Sequence, residues 1–289
     1  MTWGQGLLGP QKLDFLVQQA LTRDHPEGVE LERCAHSGAV IGANGATGAP
    51  QPGEVPVDRP SVIEQSDACA NFPETIDVVL VNGGINDVGV ETILNPAALI
   101  PSLSQRIASA CHDGMLQLLK NISVKFSKPT CRILVIGYYP ILSAESDPFG
   151  VIKLLSLFGI AVPPFLDKDI DFINPIIARC EQFFAESDTA LARAVAAAGD
   201  TRISFVPSGY TDSNAVFASS PLLWGLDLTD DLNPQDPVAA TRRPLCNAAW
   251  PQPLEVMHRE LCYRASAGHP NVQGAIQFSQ QILNTLLLD

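Results

Sequence analysis

Acyl transfer is the chemistry that the most suggestive residues of this chain could perform. The segment Asp77 to Val90 reads DVVLVNGGINDVGV, an apolar strand running into a glycine turn. Such a turn would project the Asn86 side chain over the end of a sheet, where its amide can donate a hydrogen bond. Much later, SAGHPN at Ser266 to Asn271 presents one histidine, His269, held by the proline after it. An amide donor and an imidazole base are half of what acyl transfer requires. A tetrahedral oxyanion needs further donors, and the turn Ser37-Gly38-Ala39 offers a Gly38 backbone N–H that no side chain obstructs. His269 would then carry a proton between a hydroxyl nucleophile and the leaving group. Each motif alone has a plainer explanation: a turn, a helix cap, a structural histidine. Their order and shared placement at strand ends join them.

The elements around these residues alternate. Leu7 to Leu21 has a helical apolar spacing that His25-Pro26 and Gly28 stop, and Val29 to Ala35 reads as a short strand entering the Gly38 turn. Ile76 to Asn82 is a continuous apolar strand of the kind buried on both faces. A helix over Leu99 to Ile122, a buried strand Cys131 to Tyr138, a long helix Ile173 to Ala198 closed by Gly199, a strand Thr201 to Val206 and a last helix Val272 to Leu288 follow. Strand, helix, strand in that order implies right-handed parallel crossovers and an α/β class. The expected organisation is a single domain over 1–289, with long excursions at about 42–75, 140–170 and 207–261. The stretch Tyr210 to Leu261 reads as irregular. In parallel sheets ligands bind beyond the carboxyl ends of the strands, where Gly38 and Asn86 both fall.

Composition narrows the partners. Apolar residues make up 46% and charged residues 17%, as in a packed globular protein. Eighteen basic against thirty-one acidic side chains leave a net charge of -13, which repels phosphate backbones, so nucleic acid is excluded as a partner. The longest apolar run, Val151 to Leu166, contains Lys153 and a Pro163-Pro164 stop and falls short of the ~20 residues a membrane span needs. The opening MTWGQGLLGPQK does not read as a secretory leader. Seven cysteines include no Cys-x-x-Cys pair; Cys246 and Cys262 could pair or could equally be buried thiols. His258 and Cys262 have a spacing that could share a metal, but no second ligand pair lies nearby, and neither a metal nor a cofactor is expected.

With these pieces in view, the chain resembles the SGNH (GDSL-type) hydrolase family, serine esterases and lipases on a flavodoxin-like fold. AHSGA at Ala35 to Ala39 is similar to the family's second block, which points to Gly38 as an oxyanion donor. GGIND at Gly83 to Asp87 is similar to the third block, Gly-x-Asn-Asp, which points to Asn86, and GHPN at Gly268 to Asn271 is similar to the fifth, which points to His269 as the base. The resemblance implies a three-layer α/β/α sandwich, an acyl-enzyme mechanism, and a small-molecule, lipid or carbohydrate ester as substrate. Phe158, Phe165, Phe217 and Trp224 could line a lid over an acyl chain or simply pack the core.

Two departures from the family pattern shape what to expect. The first block, Gly-Asp-Ser, carries the nucleophile and commonly leads into a segment like Trp3-Gly4-Gln5-Gly6-Leu7. The resemblance therefore implies that the first, central strand and its serine lie upstream of Met1, because Ser37 belongs to a turn committed to the oxyanion. In a 2-1-3-4-5 strand order this would leave a slot between the Val29 strand and the Ile76 strand. The second departure is Ser266, standing where the family places an aspartate three residues before the histidine. A backbone carbonyl, or Asp212 or Asp227, would have to orient His269 instead. A catalytically inactive binding module, or the product of a decayed gene, is the alternative.

Overall fold

Residues 6–45, 60–95, 103–160, 172–229, 233–253 and 256–287 are described by the computed structural model. The first helix starts later than its apolar spacing suggests, because Gly9-Pro10 opens a 3-10 turn before α1 (Leu13–Asp24) buries Leu13 and Val17. Helix α2 (Val62–Ala68) lies inside the first excursion and starts on a capping box, with Ser61 Oγ accepting from Glu64 N and Glu64 accepting from Ser61 N. Strand β1 (Val78–Val81) then leads through Gly83-Gly84 into two short helices, α3 (Ile85–Val88) and α4 (Val90–Leu94).

The expected single helix after them is α5 (Leu103–Ile107), a π-helical stretch Ala108–Gly114, and α6 (Met115–Lys125), with 99–102 outside the described residues. Next come β2 (Arg132–Ile136), α7 (Pro148–Leu157), α8 (Asn174–Ala198) and β3 (Ile203–Val206). Gly199 ends α8 in the left-handed conformation (φ 66°), as a C-terminal glycine should. The chain finishes with a short antiparallel pair, β4 (Leu226–Asp227) and β5 (Asn233–Pro234), and with α9 (Ala239–Ala249), α10 (Val256–Tyr263) and α11 (Val272–Leu287).

The architecture is mixed α/β around a three-stranded parallel sheet in the order β1-β2-β3, with Val78 opposite Arg132 and Ile133 opposite Ile203. Central β2 buries Ile133 to Ile136 completely. On one side α8 packs against α6 and the π-helical stretch, and Phe183 meets Tyr138 with ring centroids 5.2 Å apart. Burying a ring of that size contributes about 1.5–3 kcal/mol. Helix α1 packs against α11.

Three expectations need correcting. Residues 29–35 are extended but join no ladder among the described residues, so the strand read from Val29 to Ala35 is not formed. Side chains and a disulfide hold this segment: Gln18 Nε2 donates to Val29 O (2.6 Å), Arg33 pairs with Asp14, and Cys34 is bonded to Cys69. Consequently β1 is an edge strand, and Val78, Val79 and Leu80 are only half-buried where the apolar run suggested cover on both faces. The stretch 210–261 is not irregular throughout, since α9 and much of α10 lie within it. Their signal is weak because the Cys246–Cys262 disulfide and Arg242, donating to Tyr263 O (2.8 Å), link the pair in place of a long apolar stripe. No helix among the described residues is long and apolar enough to cross a membrane.

Candidate functional site

Asn86 stands in the first turn of α3, just past the carboxyl end of β1. Its position depends on Gly84, whose φ of 122° suits glycine and whose added Cβ would come within 2.9 Å of Cys111 Sγ. Behind the turn, the buried Tyr138 hydroxyl accepts from Ile85 N at 2.9 Å. The Asn86 amide then donates from Nδ2 to the Ala39 carbonyl at 2.9 Å. An amide nitrogen carries two hydrogens, and this bond uses one.

Gly38, immediately before Ala39, is buried with φ 73°, a conformation that favours glycine. Its segment is clamped from both sides. Asp87 accepts Ile41 N in both carboxylate oxygens (3.1 and 3.0 Å), while Val62 N and Ile63 N donate to Val40 O and Ile41 O (2.9 and 3.1 Å). The structure thus brings Gly38 and Asn86 together at the end of β1, although the strand expected to lead into Gly38 is not formed.

His269 is positioned by a separate set of elements. Gly268 N donates to Trp224 O (2.9 Å), Trp224 N donates to His269 O (2.7 Å), and Asn271 N donates to Leu222 O (2.8 Å). These bonds stitch the turn to 222–224. Gly274, in the first turn of α11, lies against the Tyr210 hydroxyl, and Gln277 Nε2 donates to Gly209 O (2.7 Å). Gly209 and Tyr210 lie just beyond the carboxyl end of β3, so the start of α11 and the histidine before it sit at the same end of the sheet as Asn86 and Gly38. That end is where parallel sheets bind ligands.

An acid that the sequence reading did not name bonds to this turn through Ser266. Asp212 lies in an exposed 3-10 turn, and Asp227 is capped by Thr229 N at 2.9 Å. Asp236, fully buried at its side chain, instead accepts from the Ser266 hydroxyl and pairs with Arg242 Nη2 at 2.6 Å. Gly6 fits into the same place, since a Cβ there would lie 2.8 Å from Ser266 Cβ, 2.9 Å from Asp236 Cβ and 2.9 Å from Trp224 Nε1. Sequence reasoning missed Asp236 because it sits between β5 and α9 in a stretch without periodicity. Only the serine in the place of an acid hinted that a carboxylate would arrive from elsewhere.

Two further carboxylates flank the sheet end. Asp188, on α8, accepts Tyr138 N at 3.1 Å, and burial raises its pKa to about 6. Burial likewise raises Asp87 to about 6, against the opposing effect of the Ile41 N–H. Burial also pushes up the Cys111 thiol that lies near both.

Two disulfides bear on the metal spacings: Cys262 is joined to Cys246, and Cys34 to Cys69, which takes the Glu32, Cys34 and Cys69 cluster, found among the described residues, out of use as a thiolate site. Of the aromatics considered for a lid, Phe158 and Phe217 pack against the core, and Phe165 lies outside the described residues. Comparisons of the whole chain with family models, curated proteins and solved structures gave no match, so the functional reading rests on the residues and their geometry.

Proposed function

We propose that the chain is a serine-type ester hydrolase of the flavodoxin-like three-layer kind. Gly38 N–H and the second amide hydrogen of Asn86 receive the oxyanion, His269 is the general base, and the nucleophilic serine is brought to this end of the sheet by a strand, outside the described residues, that pairs with the open edge of β1. The serine oxygen attacks the ester carbonyl while His269 takes its proton. Collapse of the tetrahedral intermediate expels the alcohol, which leaves with that proton, and water hydrolyses the acyl-enzyme by the same route. Ser266 and Asp236 hold the histidine turn from behind. The observation that carries this reading is the bond from Asn86 to Ala39 O, which sets an amide donor beside the Gly38 turn at the ligand end of the sheet.

The test is to join an apolar strand ending in Gly-Asp-Ser ahead of Met1 and assay short-chain aryl esters and acetylated sugars. Turnover lost in both His269→Ala and Asn86→Ala supports the assignment; unchanged rates in both dispose of it. A second reading, a binding module with the pocket but no chemistry, is favoured by one observation. Ser37 and Ser266 are buried, and the Ser266 hydroxyl is committed to Asp236. A fluorophosphonate probe separates the two readings, since it labels a reactive serine whatever the substrate.

A further inference from the structure

A cleft of about 630 Å³ runs along the open edge of β1, between residues 75–82 and the extended segment 27–35. Its floor includes the apolar Val62, Ile122 and Phe126. The ladder geometry shows what the β1 edge offers. Arg132 N donates to Asp77 O (2.8 Å), so parallel pairing with β2 uses the backbone groups of Asp77, Val79 and Val81. The N–H and C=O of Val78 and Leu80 therefore face the cleft. Four strand residues measure about 13 Å along the axis, about 4.8 Å between neighbours and about 10 Å in depth, roughly 600 Å³. The cleft has the volume of one such strand.

Direction and charge are also built in. Segment 27–35 runs toward Gly38, and β1 runs toward Asn86, so both walls point to the same end. Of the charged groups lining the cleft, Arg33 is paired with Asp14, Asp77 with Lys128 and Glu27 with His25, and Glu32 accepts from Ala70 N, while Glu30 is exposed; the acids Asp14, Glu27, Glu30, Glu32 and Asp77 outnumber Arg33 and Arg132. The lining is acidic.

We propose that this cleft accepts an extended peptide strand from a partner, with about four apolar, β-branched residues preceded by lysine or arginine, docked parallel to β1. Backbone bonds to Val78 and Leu80 supply register, apolar side chains fill the slot, and the basic flank meets the exposed Glu30 within the acidic lining. The residue after the strand is delivered to the Gly38 and Asn86 turn. The docking does not depend on the hydrolase reading, which concerns only what that delivered residue does.

The experiment uses the full chain and three synthetic peptides: two lysines, four alternating Val and Ile residues and Gly-Asp-Ser; the same with Gly and Ser in place of the apolar four; and the same with glutamates for lysines. Binding of the first raises Tm by about 5 °C at a hundredfold excess over Kd. It also slows amide exchange at Val78 and Leu80. Glu30→Lys, an exposed change, weakens the lysine peptide by about two- to fivefold and spares the glutamate peptide. Equal binding of the polar peptide, or unchanged exchange at Val78 and Leu80, overturns the proposal. So does a dimer in which those amides are already protected, since a second copy would then be the occupant. If the first peptide docks but gives neither ester turnover nor fluorophosphonate labelling, the docking stands and the hydrolase reading falls.

Discussion

Asn86 has two duties that a single substitution exposes. Its amide anchors the Gly38 segment through Ala39 O, and its remaining hydrogen is the proposed oxyanion donor. Asn86→Ala in the strand-complemented protein should lower kcat by about 100-fold or more, the scale of one lost oxyanion donor. KM for the ester should change little. Asp188 offers a different residue-scale test through pH. Its folded pKa of about 6 lies above the ordinary aspartate value of 3.8, so the folded state holds the proton more tightly than the unfolded state. The stabilisation from this group is complete below about pH 4 and is lost as pH rises through about 6. A shift of this size is worth on the order of 2–3 kcal/mol. Asp188→Asn, which keeps an oxygen to accept Tyr138 N, should flatten the fall in stability between pH 4 and pH 6.5, measured by urea unfolding.

Among the elements, the turn from β1 into α3 is the most constrained. Gly84→Ala would place a Cβ against Cys111 Sγ on a backbone of positive φ, and should cost about 1–3 kcal/mol and loosen α3 with its asparagine. Loss of that stability without loss of esterase activity would show that the turn does not position Asn86. The extended segment 28–35 is the opposite case: no ladder among the described residues supports it, and the Cys34–Cys69 disulfide closes a loop with a sequence separation of 35. Replacing both cysteines by alanine should remove roughly 3–4 kcal/mol. It should also weaken peptide docking, because one wall of the cleft would lose its tie to the residues after α2. Calorimetry with and without peptide reads both effects.

At the scale of the whole molecule, the open β1 edge sets the behaviour. Unpaired strand groups beside half-buried Val78, Val79 and Leu80 are a template for association with other chains. Joining an apolar strand ahead of Met1 should raise Tm and suppress concentration-dependent aggregation in light scattering. An identical melt with and without the added strand would count against the slot as a strand site. The net charge of -13 works the other way, keeping copies apart at low salt, so aggregation should increase as salt screens that repulsion.

The local chemistry of the chain was legible from residue order: strands in β1, β2 and β3, the long α8 stopped by Gly199, and the glycine turns that carry Gly38 and Asn86. Apolar runs and glycine positions act over a few residues, so their consequences can be read along the chain. What needed the third dimension was pairing between distant segments. Residues 29–35 have strand composition, but a strand exists only with a neighbour, and the side of β1 facing them holds a cleft instead. Likewise Asp236 carries no local mark, and only the approach of α9 and the Ser266 turn makes it a buried carboxylate held by Arg242 and Ser266. Local backbone preferences belong to the sequence by itself, whereas hydrogen-bond partners of edges and buried charges are decided by which segments the folded chain brings side by side.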